Sequence, residues 1–137
     1  NIERSNGGLS KKLAIFDTDM QKYYDYIIGE TIYNNRDCYT FTIKVKDNLS
    51  RTSIDKTIVR NITSYFDKQN FNVIYREYKF MYNSLPLKLD MNIVVEMDYI
   101  NNKHLPLEIY YKGYWNVLFL KPEYAEFRLK NNYYNVK

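Results

Sequence analysis

The residues of this chain that could do chemistry are few and scattered. Glu77 and Lys79 stand two apart on a stretch that reads as extended, which puts both on one strand face. A carboxylate and a lysine so placed can hold magnesium and steady an attacking water, provided a second carboxylate approaches from a paired strand. Asp67, the nearest upstream acid, reads as the end of a helix and does not supply it. An exposed cross-strand ion pair is the simpler expectation. Asp90, Glu96 and Asp98 share a strand face, with Glu108 nearby, and together could bind a hard cation. Strands fill their wet faces with such residues routinely, and Lys44, Lys46 and Lys88 are the expected neutralising partners. His104 is the single histidine and Cys38 the single cysteine. Neither has the companions that a hydrolytic triad, a cysteine-based zinc site or an internal disulfide requires. Four scattered glycines form no phosphate-cradling loop. No catalytic residue, metal ligand or cofactor follows from the sequence.

Two groupings need separate treatment. Asp17-Thr18-Asp19 follows the apolar run Leu13 to Phe16 and looks like the strand-end Asp-x-Asp of haloacid-dehalogenase phosphatases. Met20-Gln21 stands where that motif continues Gly-Thr, so a helix N-cap is the better reading. Basic residues lie among aromatics at Arg76, Tyr78 and Lys79, and again from Tyr110 to Trp115. Stacking rings beside cations suit single-stranded nucleic acid. The net charge of +4 is modest for that role, and the same rings suit protein contact. Tyr110, Tyr111, Lys112 and Tyr114, with Tyr133 and Tyr134 of the tail, form the candidate interface.

At 137 residues the chain reads as one domain, 1–137, and its 45% apolar content can furnish a core. No run approaches the roughly 20 apolar residues of a membrane span. Residues 1–12 carry no apolar signal-peptide segment and read as a flexible arm, and residues 131–137 as a polar tail. The first residue is Asn, which suggests a processed product or an excised domain. One cysteine points to a reducing compartment. The 16 tyrosines, with abundant Asn, Lys and Ile, match an AT-rich genome such as that of a phage, a large DNA virus or a low-GC bacterium.

Periodicity predicts the helices and strands that carry these residues. Met20, Tyr23, Tyr24, Ile27 and Ile28 recur at helical spacing, which predicts a helix over 18–32. Tyr39, Phe41, Ile43 and Val45 alternate with polar residues and predict a strand over 38–46. Ile54, Ile58, Ile62 and Tyr65 predict a second helix over 52–68. Strands follow over 71–80, with a change of face or bulge midway, and over 87–99. Residues 100–106 read as a polar loop. A hairpin closed at Lys112-Gly113 is expected over 107–120, and then a short helix or an edge strand through Arg128. The expected fold is therefore α+β: a mainly antiparallel sheet of about five strands with one or two helices packed on one face.

The order strand, polar break, helix, strand, strand over Tyr39 to Tyr99 resembles the core of phage tail-completion and head–tail connector proteins. That resemblance implies a non-enzymatic protein that forms rings and binds its neighbours through strands and loops. The expectation is a structural or assembly protein of a virus or phage particle, located in the virion or the host cytoplasm. It would form a homo-oligomer or larger assembly, without membrane or small-molecule partners. A nucleic-acid-binding module is the alternative, and a metal-dependent nuclease the third reading.

Overall fold

Residues 11–132 are described by a computed structural model. They form one seven-stranded antiparallel sheet in which the strands lie in chain order. The strands are β1 (Tyr24–Tyr33), β2 (Arg36–Val45), β3 (Val59–Asp67), β4 (Val73–Asn83), β5 (Leu87–Ile100), β6 (Lys103–Val117) and β7 (Glu123–Lys130). Two four-residue helices, α1 (Thr18–Gln21) and α2 (Arg51–Ile54), precede β1 and β3. This overturns the α+β expectation of about five strands with one or two helices packed on the sheet. Residues 24–32 and 59–67, expected inside helices, are strands.

The physical reason is visible in the side chains. A spacing of four residues keeps side chains on one face of a helix, but it is also an even number and keeps them on one face of a strand. Ile58, Ile62 and Tyr24, Ile28 therefore satisfied both periods. β-branched and aromatic density leans toward the strand, since Ile58, Val59, Ile62, Thr63, Tyr65 and Phe66 crowd one stretch and such side chains favour a pleated surface, and pairing with β2 and β4 settles it. Ser50 does cap a helix, accepting from the Ser53 N–H at 3.2 Å, but α2 ends at Ile54.

Turn chemistry sets the meander. Asn34 and Asn35 both have positive φ, and so do Asn101 and Asn102. Each pair closes a two-residue hairpin, Tyr33 pairing with Arg36 and Ile100 with Lys103. Asn tolerates this conformation because its short amide bonds locally, and two consecutive positive φ values match the twist of the flanking strands. The loop expected over 100–106 is thus a tight turn, with His104 inside β6. The hairpin expected at Lys112-Gly113 is absent, and β6 runs straight through it. Gly113 serves a different purpose: a Cβ there would stand 2.2 Å from the Tyr111 Oη, so the missing side chain leaves room for the Tyr111 ring to fold over the strand. The face change expected in β4 is a bulge, since Tyr65 faces Tyr75 while Phe66 faces Val73, leaving Ile74 unpaired.

Cross-strand registers sort the side chains onto two faces. Tyr24, Ile43, Ile62, Tyr78, Ile93, Tyr111 and Phe127 mark the apolar face. Residues 11–23 cross its β1–β3 end, where Ile15, Met20 and Tyr23 pack with Tyr24, Ile43 and Val59 into the buried core. The Tyr26 hydroxyl fixes this segment by donating to the Ile15 carbonyl at 2.7 Å. Thr40, Tyr65, Tyr75, Glu96, Glu108 and Lys130 form one row across the polar face. No helix among the described residues is long and apolar enough to cross a membrane.

Candidate interaction surface

The polar face is closed at one corner by a network that the sequence reading did not assemble. Tyr33, at the end of β1, donates its hydroxyl to Glu96 on β5 and touches the rings of Tyr65 (5.5 Å) and Tyr75 (5.2 Å). Four flat strand spacings separate β1 from β5, about 19 Å. A tyrosine and a glutamate cannot bridge that span, so the sheet curls toward this face. Beside them Arg36 makes paired contacts to Asp98 (3.0 and 3.3 Å) and approaches Asp67 at 3.7 Å. Asp67 is 5% exposed, and its carboxylate also accepts the Gln69 N–H at 2.8 Å. Cys38, fully buried, lies opposite Asp67 in the ladder.

The electrostatics follow from this packing. Burial pushes the Asp98 carboxyl up, but the hydrogen bonds from Arg36 and from the Tyr99 N–H, together with the Arg36 charge, outweigh it and hold the group below its usual range. The bonds to Asp98 raise Arg36. Burial raises Tyr33 and Tyr75 well above a free phenol, and the carboxylates of Glu96 and Glu77 add to it. Burial, with Asp67 alongside, also raises the Cys38 thiol and keeps it protonated. These groups are held in one protonation state by partners within the fold. A cleft of about 640 Å³ beside them is lined by Arg36, Asp37, Asp67, Lys68 and Asp98.

The residues singled out for chemistry do not converge. Glu77 and Lys79 are both on the polar face of β4, but Glu77 lies opposite Thr63 and Val94 and accepts from Tyr75 at 3.2 Å. Asp67 caps the β3–β4 turn through Gln69 and stands apart from them. Asp98 and Glu108 are neutralised by Arg36, Arg128 and Lys130, not by the expected Lys44, Lys46 and Lys88; Lys44 pairs with Asp47 at 3.1 Å. Asp17 occupies the N-cap position of α1 without a side-chain cap bond, and Asp19 pairs with Lys11 at 2.8 Å. His104 stacks on Tyr99 and bonds the Val73 carbonyl. Among the described residues no group of three His, Cys, Asp or Glu side chains is placed to hold a metal.

The candidate interface is split by the pleat of β6. Tyr110, Lys112 and Tyr114 lie on the polar face, whereas Tyr111 lies on the apolar face, stacked on Phe127 at 5.0 Å and donating to the Met91 sulfur at 3.1 Å. Tyr133 and Tyr134 lie outside the described residues. The strand that joins these side chains into a surface is β7, the edge strand that the sequence left open as an alternative to a short helix. Tyr110 donates to Glu126 at 2.6 Å and carries the Arg128 guanidinium 5.2 Å above its ring. The Glu126 bond raises the Tyr110 phenol. Arg128 in turn pairs with Glu108 at 3.0 Å. Tyr114 packs on Tyr124 with ring centres 4.8 Å apart, beside a cleft of about 420 Å³ lined by Asp90, Asn92, Lys112 and Glu126. The signal for β7 was present in the sequence as the alternation of Ala125, Phe127 and Leu129 with Tyr124, Glu126, Arg128 and Lys130.

Away from residues 11–23 the apolar face loses its cover. On β7 Phe127 is 52% exposed and Leu129 49%, the adjoining turn presents Phe119 at 95%, and toward the end of β1 Ile28 and Ile32 are 78% and 73% exposed; Tyr124, 81% exposed, lies on the polar face. Comparison with family models, with curated proteins and with solved structures found no match to this chain.

Proposed function

We propose that this protein is a non-enzymatic structural or assembly module that works by protein–protein contact through the β6–β7 end of its sheet. The observation that carries the reading is the apolar surface left open there: Phe127 and Leu129 stand half exposed on β7, and Phe119 and Leu120 are exposed in the turn between β6 and β7. Apolar side chains are normal on a surface singly, but several at one end of a sheet, with aromatic members among them, mark a contact site. The described chain folds residues 11–23 over the other end of the same face and leaves this end open. The element order shared with phage connectors included a helix at 52–68, where the chain forms β3, so the proposal rests on the exposed surface instead.

Two of the cations that lie over aromatic rings, Arg128 and Lys68, are already paired with carboxylates, which supports protein contact over nucleic acid there. Arg128 and Lys130 share Glu108, and Lys68, above the Tyr39 ring, is paired with Glu30 at 3.1 Å. A phosphate backbone would have to displace those carboxylates. The test is sedimentation velocity of the protein from about 1 to 100 μM, beside a variant with Phe127→Ser and Leu129→Ser. Mass that rises with concentration in the parent and falls back in the variant supports the proposal. A parent that stays monomeric throughout overturns self-assembly, and salt-sensitive binding to single strands in its place would favour the stacking role.

A further inference from the structure

We infer that two copies of this protein join edge to edge, β7 against β7 in antiparallel register about a two-fold axis at Phe127, extending the sheet across the dimer. The inference names the partner and geometry of the assembly surface proposed above and rests on that reading. Among the described residues β7 pairs with β6 on one side only, which leaves its other side a free edge. Which backbone groups are free can be derived. Asn131 donates to the Leu107 carbonyl at 2.8 Å, and the ladder from Glu108–Lys130 to Trp115–Glu123 has no shift. Alternation then turns the backbones of Leu129, Phe127 and Ala125 toward β6, and those of Tyr124, Glu126, Arg128 and Lys130 outward. An exposed row of unsatisfied donors and acceptors is a ready template for another strand.

The side chains select the partner. Edge strands ordinarily carry charge to deter pairing. Here the charges are ordered, with Glu123 and Glu126 in the first half and Arg128 and Lys130 in the second. Antiparallel self-pairing about Phe127 places Glu126 opposite Arg128 of the second copy, and Tyr124 opposite its Lys130. Each outward pair would exchange both backbone hydrogen bonds and meet its complement on the polar face. On the other face the two Phe127 rings meet, and Ala125 faces Leu129, so a small side chain accommodates a larger one. Arg128, its side chain 59% exposed, is already held in place by Glu108 and by the Tyr110 ring, and can reach the second copy's Glu126 with little further ordering. The free edge at β1 lacks this property. Its charged residues are Asp25 and Glu30, with no base to answer them, and Ile28 and Ile32 stand 78% and 73% exposed.

The register gives a test specific to this interface. Ala125 and Leu129 of the second copy form a non-hydrogen-bonded pair, whose Cα atoms approach about 4.5 Å, within disulfide range. Mixing an Ala125→Cys protein with a Leu129→Cys protein under mild oxidation should give the mixed disulfide dimer. Neither variant alone should cross-link, since like positions lie about 14 Å apart in this register. Cys38, fully buried, does not compete. Glu126→Arg and Arg128→Glu should each weaken dimerisation by about tenfold, and the two together in one chain should restore it. A dimer in sedimentation without the mixed cross-link, or with both charge variants unaffected, overturns the β7 register and leaves the assembly proposal standing. Growth beyond the dimer with concentration would indicate β1–β7 addition and likewise overturn it. A monomer at every concentration, with no cross-link, overturns both.

Discussion

Truncating Ile58 tests how the sheet holds its N-terminal cover. Ile58 is 3% exposed, just before β3, and its carbonyl accepts the Met81 N–H at 2.8 Å. Its side chain lines an apolar cleft of about 250 Å³ with Leu13, Phe80, Leu89 and Met91. Ile→Ala removes about three carbon equivalents, a transfer loss of about 2.4 kcal/mol at about 0.8 kcal/mol each. A sealed cavity would add a further cost, and buried aliphatic truncations reach about 5 kcal/mol. Here the lost volume adjoins an open cleft that water can enter, so the expected loss is about 2–3 kcal/mol. Urea denaturation followed by Trp115 fluorescence measures it, with the m-value unchanged. A loss below about 1 kcal/mol would refute the placement of residues 11–23 over this end of the face. Ile93, mid-strand on the apolar face of β5, is only partly buried. Its truncation should cost less than that of Ile58 under the same conditions.

Three further outcomes follow from named contacts. Tyr24 donates to the Val59 carbonyl at 2.8 Å, and burial pushes its phenol from 10.0 up to about 12. A raised folded pKa stabilises below the unfolded value, so on the order of 2–3 kcal/mol should be lost as pH rises from about 10 to about 12; Tyr24→Phe should lessen the alkaline slope in denaturant titrations, and an unchanged slope counts against it. Arg36→Met should cost about 1–3 kcal/mol, because it strands the buried Asp67 carboxylate, whereas Asp98→Asn, at a partly exposed group, should cost less; equal losses in urea would show that Asp67 does not depend on Arg36. Gly113→Val should destabilise by about 1–3 kcal/mol as the Tyr111 ring is driven from Met91 and Phe127, and adding Tyr111→Ala should remove most of the penalty of the valine; thermal melts of the set decide this.

Elements whose polar and apolar residues alternate without interruption were legible in the chain alone. Tyr39 to Val45 and Leu87 to Tyr99 could be placed on a half-buried sheet, and the bulge in β4 was legible from its change of face. It was equally legible that no reactive constellation could be named, since neither the single histidine nor the single cysteine had companions at any useful spacing. Helix against strand at 24–32 and 59–67 is settled by the assembled sheet. Apolar residues four apart fit both periods, and the tie is broken by pairing with neighbours that local pattern does not contain. The same holds for Tyr33 and Glu96, 63 positions apart in the chain, which meet because the sheet curls. Tyr110 and Tyr111, adjacent in sequence and read as one patch, lie on opposite faces because a strand alternates at every residue. The charges of β7 were always in view, but their meaning depends on its being the last strand, with one side unpaired, and that is a property of the whole sheet.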